Sequence, residues 1–451
     1  AVTFGICSLL ILLSFYAGAG NYKVAQERFN ASKTENLRQL EGLTDWLQVR
    51  QFRIFLPPQP VDAFINGISN DLGKTIEVRG RGELKAEDSL YENDTIFAIF
   101  RFIDLDFIFT VVLSLCAILF AYDSINGEKE RGTLRLTFSY AVPKDIYISG
   151  KIIGACLALL LPLLIPILIG ALMLPLLGVP LDFNEAGKLA LVIFAGLLLT
   201  GTFITLSVMV SSLTQRTSTS FLMLLVIWIL AVLIIPRISV ITAGSLVSVP
   251  AVDEINSQKS RLQAQLWNED RKAVNAYKPE MNKGMQEAMT AFNKFMQQRA
   301  DERDKKLQDL SNRLNEDRAN KQSSMEKLAF TMARLSPTAL FSLASQKAAG
   351  TSINLEENFK KSALLYRDTY KKFLKEKTGM NAGGFMIFRR IEDGQAKPKP
   401  INVHEIPEFI YKSASVSENL SKALPDLTLL AIFNLAFFAG SFFSFRKYDP
   451  R

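Results

Sequence analysis

The chain has 451 residues, 49% of them hydrophobic, and a positive mean hydropathy of +0.16, a balance that excludes an ordinary soluble globule and points to a membrane protein. Its net charge of +8 is spread along the chain, so no concentrated basic face for nucleic acid is expected. All three cysteines, Cys7, Cys116 and Cys156, fall in apolar stretches, so the polar segments must hold together by packing without disulfides.

In chain order, the windows Val2–Gly20, Phe107–Tyr122, Ile152–Leu181, Leu189–Gln215, Thr217–Ile235 and Leu427–Phe445 contain no Asp, Glu, Lys or Arg. Each approaches or exceeds the roughly 18 residues that a bilayer core requires, the second by taking in Asp104 and Asp106 at its edge. The first window, residues 1–20, also has the small residues of a signal peptide at its end, but no basic stretch precedes it, and we read it as a span. Because Ala1 is not an initiator methionine, further residues are expected ahead of it.

Residues 21–101 read as an extracytoplasmic segment: a polar helical stretch through Arg50, the turn-forming "LPPQP" of Leu56–Pro60, then loops with two brief strands, one around "KTIEVRG". The second span, 102–122, opens on Asp104 and Asp106, which suit its free N–H groups. The loop 123–151 follows, then spans three to five over 152–240. The third carries Pro162, Pro166 and Pro175, which predict a kink.

Residues 241–424 form the largest polar segment, a mainly helical extracytoplasmic domain. Apolar residues recur at helical spacing at Met281, Met285, Ala288, Phe292 and Phe295, and again at Leu307, Leu310 and Leu314. The two faces, separated by the charged "QQRADERDKK", suggest an antiparallel hairpin or bundle projecting from the membrane, with a packed bundle favoured over a lever or partner-binding coiled coil. Pro337 and Gly350 bracket "SPTALFSLASQKAAG", a further helix covers Asn358–Lys377, and a Gly/Pro-punctuated stretch runs to Pro407. The sixth span and a short tail occupy 425–451. The expected fold is thus an α-helical polytopic membrane protein, with six spans, a mainly helical outer domain and minor β structure.

Lys129, Arg131, Arg135, Lys144 and Lys151 concentrate in the 123–151 loop, and Arg216, Arg446, Lys447 and Arg451 flank other span ends on the same side. Cationic loops are retained in the cytoplasm, so both termini and this loop are read as cytoplasmic and the two long polar segments as outside. An inner (cell) membrane location follows.

Catalytic patterns are missing. There is no Gly-x-x-x-x-Gly-Lys-Ser/Thr phosphate loop, Gly73-Lys74-Thr75 lacking the first glycine. His404 is the single histidine and is read as an ordinary surface or packing residue, since zinc requires several N or S ligands. No ionisable residue sits mid-span, which argues against an ion-coupled carrier. No cofactor is expected in this chain, and it is not read as an enzyme.

A membrane protein without its own energy source, carrying a charged helical element on the cytoplasmic side, can receive work from a partner. In "GEKERGTLRLTFSYAVPKDIYISGK", Glu128, Lys129, Glu130 and Arg131 can pair with a soluble surface, Leu134, Leu136 and Phe138 can supply apolar anchors, and Pro143 ends the helix. A plain interfacial helix is the alternative reading of the same composition.

The segment resembles the signature of ABC-2 type permeases, the six-helix membrane subunits of ATP-driven exporters, at Glu128, Gly132, Thr133, Leu134, Pro143, Lys144, Gly150 and Lys151. Ala141 departs from it, relatives often having a proline there. "DLDFIFTVVLSLCAILFAYDSINGE", "LPP" and "RLSPTALFSLASQKAAGTS" are similar to the branch with large extracytoplasmic domains of unassigned function. The resemblance implies that 123–151 is a coupling helix fitting a cleft in a separate ATPase subunit. It also implies two ATPase copies binding ATP and Mg, and pairing with a second copy of this chain or a related permease. Lipids and an envelope partner complete the expected neighbours. The alternative is an envelope machine that conducts nothing and uses ATP hydrolysis to move the outer domain. Apolar walls suit lipids, peptides and glycans alike, so no substrate is assigned.

Overall fold

The structure, a computed structural model, describes residues 2–44, 46, 49, 51–65, 67, 74–79, 85–87, 104–140, 142–277, 285–378 and 400–446. Six helices are long and apolar enough to cross a membrane: Thr3–Arg38, Leu105–Glu130, Lys144–Leu176, Phe183–Leu213, Thr217–Leu246 and Val416–Arg446, here spans 1 to 6. The protein is a helical polytopic membrane protein with little strand. The chain divides into two compact units, one of residues 1–236 and 334–451, the other Arg237–Ala333.

In the first unit, span 4 is the most enclosed of the spans, buried along most of its length from Leu189 to Ser212. Close approach is set by small residues. A Cβ on Gly170 of span 3 would lie 2.2 Å from the fully buried ring of Phe15 in span 1, and one on Gly196 of span 4 would lie 2.4 Å from Phe109 in span 2. Spans 1 and 2 also meet at Cys7 and Cys116, whose Sγ atoms are 3.4 Å apart. The outward faces of spans 3 and 5 expose rows of Leu, Ile and Val, among them Leu157, Leu161 and Ile165, as lipid-facing surfaces do.

Two spans contain a π-helical turn, Ile108–Leu113 and Leu230–Ile234. The second frees a carbonyl: Ala231 O accepts from Ser336 Oγ at 2.6 Å and Thr338 Oγ1 at 3.0 Å. Prolines 162, 166 and 175 lie within the continuous helix Lys144–Leu176.

Outside the spans, α1 (Asn126–Glu130) forms the end of span 2 as ranged above, and α2 (Thr133–Ser139) follows it. Strands β1 (Gln51–Phe55), β2 (Thr75–Arg79) and β3 (Lys85–Glu87) form an antiparallel sheet in that order, with Phe52 opposite Val78 and Ile54 opposite Ile76. The "KTIEVRG" strand is therefore present. The helical stretch expected through Arg50 ends at Arg38, because Leu37, Leu40, Leu43 and Trp46 turn back to pack on the sheet's core and β1 follows.

Two further helices belong to this unit, α5 (Pro337–Ala349) and α6 (Asn354–Thr378). Ser336 caps α5 and Gly350, at φ 85°, ends it, as the Pro/Gly punctuation predicts. Its Leu340, Phe341, Ala344 and Ala348 are buried in the same core as spans 4 and 6. Helix α6 presents Leu355, Phe359, Ala363, Tyr366, Tyr370 and Leu374 at helical spacing to the sheet, and Tyr370 stacks on Phe52 at 5.9 Å. Tyr366 Oη donates to Pro407 O at 2.8 Å, and exposed His404 lies nearby in chain.

The second unit contains α3 (Val252–Ala276) and α4 (Met285–Ala333). The hairpin is formed by these two helices. The charged "QQRADERDKK" lies inside α4, which runs 49 residues and about 73 Å without Gly or Pro. Those charges clamp the pair: Arg299 Nε is 3.0 Å and Arg303 Nη1 is 2.9 Å from the carboxylate of Asp270, and the Arg303 guanidinium sits 4.3 Å from the centre of the Trp267 ring. Met281 and the stretch 379–399 lie outside the described residues.

Candidate docking site at the 123–151 loop

Helix α1 is fastened at the turn between spans 4 and 5. The N–H groups of Ile125 and Asn126 both donate to Ser211 Oγ at 3.1 Å, and Asn126 Nδ2 donates to Thr214 Oγ1 at 3.0 Å. Lys129 Nζ donates to Ser212 O at 2.5 Å and Thr214 O at 3.1 Å, placing a cation at the negative C-terminal end of span 4. The neighbouring Glu130 accepts from the N–H and hydroxyl of Thr217, at 3.2 and 2.9 Å, at the positive N-terminal end of span 5. One cation and one anion in consecutive positions thus complement both helix ends of the turn.

Glu128 faces span 3. It accepts from Tyr147 Oη at 2.6 Å and pairs with Lys151 Nζ at 2.5 Å. Tyr147 in turn stacks on Phe445 of span 6 at 5.4 Å, and Phe138 of α2 packs on both rings. Lys144 Nζ donates to Arg446 O at 3.3 Å.

Gly132 separates the helices. At φ 76° it occupies the left-handed region, and a Cβ there would meet nothing within 4 Å, so the demand is on backbone conformation alone. Helix α2 stops at Ser139, before the extended Pro143 that opens span 3; Ala141 lies outside the described residues.

The expected docking residues therefore divide in two. Glu128, Lys129, Lys144 and Lys151 are engaged within the chain, and Leu134, expected as an anchor, is 1% exposed in the chain's own core. Arg131, Gly132, Thr133, Arg135 and Pro143 are exposed, and Leu136 and Tyr140 stand out at 63% and 79% exposure. Among the described residues neither Arg131 nor Arg135 has an ion-pair partner. Two guanidinium groups and two large apolar side chains thus form an open surface on a rigidly held base. Sequence reasoning missed Asn126, Ser211 and Thr217, since their pairing spans more than 80 residues of chain.

At the other end of span 2, Asp104 caps the helix through the Phe107 N–H at 2.9 Å. Asp106, expected to share that role, instead accepts from Ser342 and Ser345 of α5 at 3.1 and 3.4 Å.

Six apolar spans with this fastened loop define a polytopic membrane component. A family model described as "ABC-2 family transporter protein" matches residues 2–374, and the chain belongs to that family. It is a membrane transport component, and the family implies an ABC ATPase partner in general. No curated protein matches the chain.

Proposed function

We propose that this chain is the permease subunit of an ATP-driven exporter, taking mechanical work from a separate ATPase subunit through α2 and the residues beside it. The carrying observation is the exposed set Arg131, Arg135, Leu136 and Tyr140, borne on a helix pair locked to spans 3, 4, 5 and 6. A push on α2 reaches span 3 through Glu128 and span 6 through Phe138. Both termini and this loop lie in the cytoplasm, and the polar segments 21–101 and 241–424 outside. The ATPase supplies ATP and Mg binding. Two ATPase copies serve two permeases, either two of this chain or this one with a relative.

Co-purification tests the docking step. Reversing Arg131 and Arg135 to Glu together should reduce recovery of the ATPase subunit by at least roughly tenfold while the permease stays folded. Full recovery with unchanged ATPase activity would sink the proposal.

A second reading, in which hydrolysis moves the outer helices and no substrate crosses, is favoured by the α3–α4 hairpin falling, with the end of span 5, in a compact unit of its own, Arg237–Ala333. Export that persists after α3 and α4 are cross-linked to each other would count against it.

A further inference from the structure

Four element ends meet on the side of spans 4 and 6 away from the 123–151 loop. Span 3 leaves that loop and span 4 returns towards it, so Phe183, where span 4 begins, lies at the far end; Val416 of span 6 lies beside it. Asn184 joins them, its Oδ1 accepting the Val416 N–H at 2.8 Å. Helix α5 ends here at Gly350 and α6 begins at Asn354, while Asn419 Nδ2 donates to Ala348 O at 3.1 Å. Between them is a recess whose lining includes Lys188, Lys347, Lys422, Asn354, Asn358 and Asn419.

We propose that this recess binds a phosphate-bearing anion. Among the described residues, three lysines line it and no carboxylate does. Lys188 and Lys347 are held by Glu185 and Asp426, neither of which lines the recess, and Asp426 also holds Arg334 at 2.8 Å. Asp62, outside the lining, also acts on Lys188, so four cations, with Lys422, face three carboxylates. Lys188 is 2% exposed, and its hydrogen bond to Glu185 Oε1 at 2.6 Å uses one of the ammonium's three donors. Asp62 already acts on this amine beside Glu185, so the excess of positive charge at the recess rests on Lys347 and Lys422, Asp426 being divided between Lys347 and Arg334.

The start of the 25-residue α6, whose Asn354 and Asn358 line the recess, adds two side-chain amides and the positive end of its dipole. The acidic residues of its first turn are turned to their own partners, Glu356 to Lys360 and Glu357 to Lys361. A tetrahedral oxyanion can accept from several amines and amides at once, whereas a metal cation would be repelled by the lysines. Free phosphate and the phosphodiester headgroup of a membrane lipid share this chemistry.

Full-length protein in neutral detergent, titrated calorimetrically with inorganic phosphate against chloride at equal ionic strength, tests the free anion. Retention of phosphatidylglycerol over phosphatidylcholine in native mass spectrometry tests the lipid. Lys422 is exposed, so Lys422→Glu leaves the fold intact and should weaken whichever probe binds by roughly tenfold or more. Phosphate binding assigns a soluble anion, and phosphatidylglycerol retention without it assigns a lipid headgroup. The proposal is overturned if wild-type protein discriminates neither probe from its control, or if Lys422→Glu and Lys347→Gln both bind as wild type does.

Discussion

Asp62 lies in the short helical turn Val61–Ala63, outside the spans. The residue is half-buried, yet its Oδ1 is shut off from solvent without a hydrogen-bond partner. Burial pushes the carboxyl up to about 7, opposed by Lys74 and reinforced by Glu185. An unfolded aspartate loses its proton near 3.8, so between that value and about 7 the folded chain binds a proton that the unfolded chain does not. Stability contributed by Asp62 is then present at low pH and lost as pH rises through this window. Asp62→Asn should flatten the pH dependence, giving a higher Tm than wild type above about pH 7 and a similar one near pH 4, measured by thermal unfolding in detergent. Identical pH profiles would refute the assignment. The sequence around Asp62, "LPPQPVDAF", reads as a surface turn, and its burial comes from partners elsewhere in the chain, among them Phe64 packing on Phe15.

Between elements, the joints are ionic and tertiary. Asp426 of span 6 is fully buried and holds Arg334 and Lys347, which flank the start and lie in the last turn of α5. Removing the carboxylate leaves both cations without it, at a cost of about 3–5 kcal/mol. Asp426→Asn should therefore lower the Tm markedly, whereas Lys347→Gln, which leaves Arg334 in place, should lower it less; equal or negligible shifts would contradict the joint. Such pairings lie 79 and 92 residues apart in the chain and carry no periodic signal. Local rules served better. Ser336, Pro337 and Gly350 bound α5 as their chemistry requires, and the apolar spacing of Leu307, Leu310 and Leu314 falls on a helix. The charged stretch separates the two apolar sets but continues α4, because no Gly or Pro breaks the helix there.

At the scale of the whole molecule, the six spans were legible because an uncharged window is a local property. The loop 123–151 stood out through its charge and its resemblance, but its division into engaged and exposed residues was not legible. That division depends on Ser211, Thr217 and Tyr147, brought to it only by folding. The joining of β1 and β2 with α6 into one core likewise unites segments more than 300 residues apart, through Phe52, Tyr366 and Tyr370.

The two thiols at the meeting of spans 1 and 2 turn the native chain into its own distance gauge. With Sγ atoms 3.4 Å apart, mild oxidation should join Cys7 to Cys116 and leave Cys156 as the one thiol alkylated after unfolding. Three alkylated thiols after oxidation would place the spans further apart. Repeating the measurement with the ATPase subunit and ATP would report, without any engineered cysteine, whether the working cycle separates these two helices.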